Sequence, residues 1–345
     1  MTKTAIVLFN LGGPDSLDAV EPFLFNLFCD PAIIGLPQPL RWVVARLAAK
    51  RRARVARDIY ARLGGSSPLL ENTRRQAAAL AAALGRDEAR VFPCMRYWHP
   101  MAEAVAAEVR DFAPDRIVLL PLYPQFSSTT TRSSVRAWRQ AADAAGLKAP
   151  TKLVCCYATE PGFLAALADR TRGAVAEAAA AAAGAPRVLF SAHGLPKRVV
   201  ARGDPYQRQV EHTATALAAW LGLAPDGWTV CYQSRVGPLE WIGPSTEDEL
   251  RRAGRDGVAV ALVPIAFVSE HSETLVELDI DYRELARRAG VPAYARAATV
   301  GTSPAFIDGL ADLVRGAIDG AAAVRPESGR RRCPAGAICG LDEAA

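Results

Sequence analysis

The sequence of 345 residues predicts an α/β protein built on doubly wound parallel sheets. Short apolar runs, typical of buried parallel strands, alternate with longer alanine-rich runs of helical periodicity, and this alternation is the pattern of βαβ units. Half of the residues are apolar, which predicts a packed globular core. Turns rich in Gly and Pro stand at the ends of strand-like runs, as in Gly12-Gly13-Pro14.

The strand-like segments are short and apolar. In chain order they are Ala5–Phe9, Ile117–Leu120, Leu153–Tyr157, Val188–Phe190, Val230–Tyr232 and Val258–Val268. The alanine-rich segments combine good helix formers with amphipathic spacing. They are Arg74–Leu84, Met101–Phe112, Phe163–Ala183 and Val210–Leu221.

The length suits two domains of ordinary size or one large domain. We expect an N-terminal domain of residues 1–160, since a strand ends just before that point, and a C-terminal domain of residues 161–300. Residues 301–345 would form a closing helix near Pro304–Ile318, which packs back on the first half, and a tail rich in Arg, Gly and Pro beyond Val324.

Several protein classes do not fit the composition. No run reaches the roughly 18 apolar residues that span a bilayer. The segment Thr4–Asn10 enters a strand directly and lacks the layout of a signal peptide. Seven cysteines, an odd number without a small-domain framework, fit a reducing compartment better than a disulfide scaffold. We therefore expect a cytoplasmic protein.

The net charge of +5 is unevenly distributed. A strongly apolar segment, Phe23–Val44, leads into a basic run in which Asp58 is the one acidic residue; the run comprises Arg41, Arg46, Lys50, Arg51, Arg52, Arg54, Arg57 and Arg62. One interpretation is an interfacial contact with an anionic membrane or an acidic apolar ligand. The other is a core helix followed by a solvated helix. No nucleic-acid partner is expected, because no recognised nucleic-acid motif accompanies the run.

His193 is the strongest candidate for a functional side chain. It directly follows the strand Val188–Phe190 and is followed by Gly194 and Pro196. In open parallel sheets, ligands bind beyond the carboxyl ends of the strands. Imidazole can accept a proton or bind a borderline metal near neutral pH. The alternative is a hydrogen-bonded core histidine.

A second strand end delivers carboxylates. After Val258–Val268 come Glu270, Glu273, Glu277 and Asp281, and on a helix the last three would share one face. Like charges at this spacing repel, which makes sense if the face handles cations or protons. Imidazole beside carboxylate, with open positions, would hold Fe²⁺ loosely enough to release it. The alternative is a solvated helix face.

Other segments are less specific. Tyr123 begins a hydroxyl-rich strand end, Arg62 and Arg96 flank Gly-rich or aromatic turns and could clamp carboxylates, and Trp241 offers a flat face. Asn10–Pro14 lacks the G-x-G-x-x-G spacing of a dinucleotide site, which disfavours a nicotinamide oxidoreductase.

Together these segments resemble the ferrochelatase family over nearly the whole chain. Eight stretches in the family's order carry the resemblance: Leu8–Pro14, Gly64–Pro68, Arg96–Pro100, Tyr123–Ser127, Ser191–Pro196, Gly203–Tyr206, Gln233–Pro238 and Pro264–Leu275. The resemblance implies two Rossmann-like lobes with a porphyrin cleft between them. It implies the insertion of Fe²⁺ into protoporphyrin IX with loss of two protons, the last step of haem biosynthesis.

The resemblance also implies roles for single residues. His193 and Glu273 would be the catalytic pair that handles metal and protons, with their division of labour left open, and Glu270, Glu277 and Asp279 would continue an acidic path. The expected substrate contacts are Leu11, Arg62, Arg96, Tyr123, Trp241, Phe267 and His271. Phe23–Val44 resembles the family's cleft lip, which in membrane-associated members touches the bilayer.

Some family members carry a [2Fe–2S] cluster with one mid-chain and three C-terminal cysteines. Here the tail supplies only Cys333 and Cys339, and Cys155-Cys156 lies mid-chain. Adjacent residues of a regular strand face opposite ways, so both could ligate one cluster only at a strand end or bulge. If only one of Cys155 and Cys156 joins Cys333 and Cys339, an atypical ligand would have to fill the fourth position. The alternative to a cluster is buried apolar cysteines with a reactive tail. A tail of this kind is also typical of the family's dimeric branch.

Two alternative functions remain open. One is another tetrapyrrole chelatase, acting on coproporphyrin or inserting cobalt. The other is a non-catalytic porphyrin or haem carrier, which would bind porphyrin without yielding a metalloporphyrin.

Overall fold

The computed structural model describes residues 2–85, 89–182, 184–235 and 239–320, and the backbone of 324–326. The chain forms two compact units. The second unit is Tyr157–Gly309; the first contains the described residues before Tyr157 and those from Leu310 onward. Each unit is built on a parallel sheet flanked by helices, which confirms the predicted fold class.

The first unit has a five-stranded sheet in the order β2-β1-β3-β4-β9, and every pairing in it is parallel. Its strands are β1 (Thr4–Asn10), β2 (Ala89–Met95), β3 (Arg116–Pro121), β4 (Thr151–Cys156) and β9 (Val324–Pro326). Its helices are α1 (Val20–Phe28), α2 (Leu40–Ala61), α3 (Leu69–Leu84), α4 (Ala102–Phe112) and α5 (Thr131–Ala144).

The second unit has a four-stranded parallel sheet in the order β6-β5-β7-β8. Its strands are β5 (Arg187–His193), β6 (Trp228–Gln233), β7 (Val260–Pro264) and β8 (Tyr294–Arg296). Its helices are α6 (Pro161–Ala181), α7 (Lys197–Ala201), α8 (Tyr206–Leu221), α9 (Thr246–Asp256), a π-helix (Glu273–Asp281) and α10 (Tyr282–Arg288). Helix α11 (Pro304–Asp319) begins in this unit and ends in the first.

The apolar runs form the cores as their composition predicts. All seven residues of β1 are buried, and Phe9 packs edge-on against Trp138 of α5, with ring centroids 6.4 Å apart. In the second unit Leu189 of β5 and Leu262 of β7 lie in one buried cluster with Leu278 of the π-helix. A strand buried on both faces needs a continuous apolar run, which explains why these strands were recognisable.

Some predicted boundaries change. The run Val258–Val268 yields only the strand Val260–Pro264. Strand β2 escaped prediction because Pro93 interrupts its apolar pattern. In the first unit, Arg315 of α11 donates a hydrogen bond to the carbonyl of Ala83. No helix within the described residues is both long and apolar enough to cross a membrane.

Candidate active site

Neighbouring strand ends create the site in the second unit. Strand β5 ends at His193 and β6 at Gln233, and the two residues lie opposite each other in the parallel register. On the other side of β5, Ser191 lies opposite Pro264, the last residue of β7. The loop after β7 leads to the π-helix, which begins at Glu273. The carboxyl ends of three adjacent strands thus deliver their polar side chains to one edge of the sheet.

His193 and Glu273 form a direct hydrogen bond. The Nδ1 atom of His193 lies 2.9 Å from Oε2 of Glu273. The side chains are 39% and 25% exposed, so the pair is partly shielded but still reachable from solvent. Because Nδ1 faces the carboxylate, Nε2 is the ring nitrogen left to meet a ligand.

Ser234 connects two carboxylates. Its backbone N–H donates to Oε1 of Glu277 at 2.9 Å, and its hydroxyl lies 2.5 Å from Oε2 of Glu277 and 3.3 Å from Oε2 of Glu273. Ser234 has φ = 61°, a left-handed backbone that is uncommon outside glycine. Such outliers cluster at functional sites, where the surrounding structure holds them in place.

The electrostatic environment separates the two carboxylates. Burial would raise the pKa of Glu273, but the positive His193 and its hydrogen bond outweigh burial and hold this pKa at about 2. The pKa of Glu277 is raised by burial and by the charge of Glu273. Burial would lower the pKa of His193, but the charge of Glu273 overcomes it and the pKa rises above its usual value. One carboxylate is therefore ionised, while its neighbour is suited to hold a proton.

The acidic segment corrects a prediction. It is a π-helix over Glu273–Asp281 and not a regular α-helix. The backbone N–H of Tyr282 bonds the carbonyl of Glu277 five residues earlier, and its hydroxyl donates to Oε1 of the same residue at 3.0 Å. Ile280 of this segment is exposed. The π-helix is rare, and it occurs frequently at functional sites.

Four acidic residues of this segment fall into two separate groups. Glu270 and Asp279 both bind Arg296, whose side chain is only 8% exposed. Glu277 turns instead to Ser234 and Glu273 to His193. The structure thus brings Glu277 together with the pair and assigns Glu270 and Asp279 to a separate ion cluster.

Three predicted contact residues lie near the pair or pack together. A Cβ atom at Gly194 would lie 3.2 Å from the indole of Trp241, so the glycine allows this close approach beside His193. The rings of Phe267 and His271 pack with their centroids 4.7 Å apart.

The surroundings of His271 favour its neutral form. Burial lowers its pKa. Its Nδ1 lies 3.1 Å from the carbonyl of Ser269, which can only accept a hydrogen bond, so Nδ1 carries the proton.

The other predicted contacts belong to the first unit. Leu11 packs against a buried cluster of α1, α2 and Tyr97, Tyr123 is part-buried, and Arg62 is exposed at the end of α2. Arg96 is engaged by Ser133 through Nε at 2.7 Å and by Asp30 through Nη2 at 2.8 Å. Its charge is therefore already paired.

Cys155 and Cys156 are both buried, and their sulfur atoms lie 3.7 Å apart. The register of β4 against β9 shifts between Val154 and Cys156, so the pair stands at an irregularity and at the strand's end. Cys333 and Cys339 lie outside the described residues. Among the residues that are described, no three or more His, Cys, Asp or Glu side chains are arranged to hold a metal ion.

Sequence reasoning missed Gln233, Ser234 and Arg296 as parts of this arrangement. Gln233 and Ser234 directly follow the predicted strand Val230–Tyr232, so the strand-end rule that selected His193 would have found them. Nothing in the sequence distinguishes Arg296 from other arginines.

Comparisons with known proteins identify the family of the chain. The profile of the family described as Ferrochelatase matches residues 3–318. A ferrochelatase of Caulobacter vibrioides is 54% identical over 92% of this chain and 90% of its own length. One of Phenylobacterium zucineum is 53% identical over 92% of each chain. One of Hyphomonas neptunium is 48% identical over 97% of this chain and 93% of its own.

Solved structures share the fold at low sequence identity. SirB from Bacillus subtilis with Fe³⁺ superposes with a TM-score of 0.53 at 13% identity, covering 92% of this chain and 96% of that one. The match of the family profile over nearly the whole chain, with relatives about half identical, decides the assignment. The chain belongs to the ferrochelatase family.

Proposed function

We propose that the His193–Glu273 pair, with Glu277 behind it, performs the metal insertion of the ferrochelatase reaction in this chain. A ferrochelatase is a metal chelatase, classed as a lyase, and inserts Fe²⁺ into protoporphyrin IX to form protohaem with release of two protons. This is the last step of haem biosynthesis. The observation that carries the proposal is the 2.9 Å contact between His193 and Glu273, next to a second carboxylate of raised pKa.

Proton removal is assigned to His193. In the neutral form of His193, with the ring proton on Nδ1 toward Glu273, Nε2 can accept a pyrrole proton, and the ionised Glu273 stabilises the imidazolium that forms. Ser234 lies between Glu273 and Glu277, so a proton that leaves the pair has an acceptor of raised pKa within two hydrogen bonds. A neutral imidazole and a carboxylate with open positions are also suited to hold Fe²⁺ briefly before it enters the ring.

Porphyrin binding is assigned to the predicted contact residues. A flat macrocycle resists metal entry until it is bent, so the site must favour the distorted ring over the planar one. In the second unit, Trp241, Phe267 and His271 supply flat surfaces near or behind the catalytic pair. In the first unit, Leu11 and Tyr123 would contact the ring.

The two predicted arginines of the first unit, Arg62 and Arg96, differ in whether they can bind a porphyrin propionate directly. We assign a propionate to Arg62, which is exposed. Arg96 would contribute to porphyrin binding only indirectly, because Asp30 already pairs with it.

The test is an anaerobic insertion assay with Fe²⁺ and Zn²⁺ and with protoporphyrin and coproporphyrin. We expect wild-type protein to yield metalloprotoporphyrin, and Glu273→Gln to abolish insertion while porphyrin binding stays near normal. Glu284→Gln, on the exposed face of α10, is the matched control and should keep full turnover. Retained turnover in Glu273→Gln would refute the assigned role. Binding without any turnover in the wild type would identify a porphyrin carrier.

We also propose that Cys155, Cys156, Cys333 and Cys339 hold a [2Fe–2S] cluster. Thiolates on one tetrahedral metal lie roughly 3.8 Å apart at metal–sulfur bonds of about 2.3 Å, close to the 3.7 Å between Cys155 and Cys156. Pro326 pairs with Cys156, and the seven residues from there to Cys333 can reach back toward it. When bound, the cluster would supply iron–thiolate bonds between the strand and the tail.

Membrane contact is proposed for the exposed face of α2. Leu40, Val43 and Leu47 share that face and are 47–65% exposed, while Ala45, Ala49 and Ala53 on the opposite face are buried. Further along, the exposed face becomes basic, with Lys50, Arg51 and Arg54. Apolar residues followed by cations suit a surface that enters the headgroup region of an anionic bilayer.

We therefore propose a cytoplasmic enzyme peripheral to the inner membrane. The homodimer implied by family resemblance stays a prediction, which sedimentation of the purified protein would test.

A further inference from the structure

We propose that Arg296 is a positioning residue for metal insertion, which holds the π-helix so that Glu273 and Glu277 face His193 and Ser234. This inference rests on the proposed roles of Glu273 and Glu277. It assigns Glu270 and Asp279 to anchoring the helix rather than to an iron path.

The guanidinium of Arg296 binds a carboxylate on each side. Its Nε and Nη2 donate to the two oxygens of Asp279 at 2.8 and 2.7 Å, a bidentate pair. Its Nη1 donates to both oxygens of Glu270 at 3.0 and 3.2 Å. Oε1 of Glu270 also accepts the backbone N–H of Thr299 at 2.8 Å.

The two anchors lie on either side of the reactive carboxylates. Glu270 stands three residues before the first residue of the π-helix, and Asp279 lies in its last turn. Glu273 and Glu277 are between them. One side chain therefore fixes both the entrance and the exit of the segment that carries the chemistry.

Arg296 is itself fixed by the sheet. It is the last residue of β8, in register with Leu262 of β7, and the next residue, Ala297, donates its N–H to the carbonyl of Leu262. Tyr294 of the same strand donates its hydroxyl to the carbonyl of Leu278 at 2.7 Å, a second tie to the π-helix. A π-helix is rare and mostly limited to a single turn, so a rigid external support explains how it extends over nine residues here.

The same contacts make Glu270 and Asp279 poor iron carriers. Both sit against a buried cation, and Asp279 also has Arg283 at 3.8 Å. A carboxylate held by a bidentate guanidinium would have to give up that partner before it could bind Fe²⁺.

The test compares Arg296→Lys, Asp279→Asn and their double variant. Lysine keeps the charge but loses the fork that binds Asp279. We expect kcat for Zn²⁺ or Fe²⁺ insertion to fall about 10- to 100-fold in each single variant, because a small misplacement of catalytic groups is costly. The KM values for porphyrin and metal should change little, and the double variant should be no worse than either single, as for residues that act as one unit.

Arg187→Met is the matched control, since it breaks an ion pair with Asp256 at 2.8 Å in the same unit but away from the π-helix. It should lower thermal stability without changing kcat per folded molecule. Unchanged kcat in folded Arg296→Lys and Asp279→Asn would overturn the inference. A raised KM for iron in Asp279→Asn alone would also overturn it, because that result would assign Asp279 to an iron path. Glu273→Gln is measured in the same assay. If it loses turnover while one of these two results is obtained, the positioning role of Arg296 is refuted but the proposed function is not.

Discussion

Ser234 donates to Glu277 through both its backbone N–H and its hydroxyl, at 2.9 and 2.5 Å. The same hydroxyl lies 3.3 Å from Glu273, so one residue in a left-handed conformation connects the ionised carboxylate to the one with raised pKa. This contact links the end of β6 to the π-helix and makes the two carboxylates a single network with His193.

Removal of this hydroxyl should slow insertion. In Ser234→Ala, Glu277 loses a donor to its charged form, its pKa rises further and it releases protons less readily. We expect kcat to fall about tenfold with porphyrin KM unchanged. Ser234→Gly removes the same hydroxyl but tolerates φ = 61° without strain. A loss seen in alanine but absent in glycine would show that backbone strain, and not the hydroxyl, is responsible.

The charge of Glu273 should be visible in the titration of His193. Since Glu273 raises the pKa of His193 against the effect of burial, Glu273→Gln should move this pKa below its usual value near 6.5. NMR of the imidazole in both proteins measures the shift directly. A raised histidine pKa contributes stability that is present at low pH and lost as pH rises through the folded-state pKa. The stability difference between wild type and Glu273→Gln should therefore shrink toward alkaline pH; an unchanged His193 pKa would contradict the assignment.

Asp30 should be a major stabilising residue of the first unit. Its carboxylate is fully buried and accepts from Arg96, Arg136 and Tyr97. Asp30→Asn leaves those cations without their partner, so we expect the free energy of unfolding at pH 7 to fall by about 3–5 kcal/mol. Asp111→Asn, in an exposed pair with Arg110, should change it little.

The effect of Asp30 should also depend on pH in a defined direction. Burial raises the pKa of Asp30, but Arg96 and the hydrogen bonds lower it by more, so the pKa lies below the usual aspartate value. The stability that Asp30 supplies is complete above about pH 4 and is lost as pH falls through the lowered folded-state pKa. Denaturant titrations at several pH values test this, and a difference from Asp30→Asn that grows in acid would contradict it.

The cluster proposal predicts colour. Protein purified without oxygen should be brown, with visible absorbance that Cys339→Ser removes. Cys156→Ser should weaken or abolish the absorbance, since its sulfur is one of the two held 3.7 Å apart. Cys231→Ser is the control, because that buried cysteine contacts Thr246 in the other unit. Colourless, fully active wild-type enzyme would exclude the cluster.

The sequence predicted the parts of the site that follow from strand ends. His193 could be found because an imidazole after a buried strand has few structural uses, and the acidic run could be found by its charge. The π-helix could not, because its wider turn depends on Arg296, which reaches it from β8. The pairing of Arg96 with Asp30, 66 residues apart, likewise depends on tertiary packing.

The exposure of the apolar residues on α2 could not be predicted from the sequence, and it motivates a test of the two interpretations of the basic run. Apolar residues before that run could have been core, yet Leu40 and Leu47 are 52% and 65% exposed on α2. We expect the double variant Leu40→Asp/Leu47→Asp to bind anionic vesicles at least tenfold more weakly than wild type, because each side chain loses apolar area that the bilayer would bury. Trp220→Asp, which removes a 48% exposed apolar residue from α8, should leave binding unchanged.

Lys50→Glu/Arg51→Glu should weaken vesicle binding most at low salt, since each cation near an anionic surface is worth about 1 kcal/mol. Equal binding of wild type and the leucine variant, or equal binding to neutral and anionic vesicles, would show that this face of α2 is simply solvated.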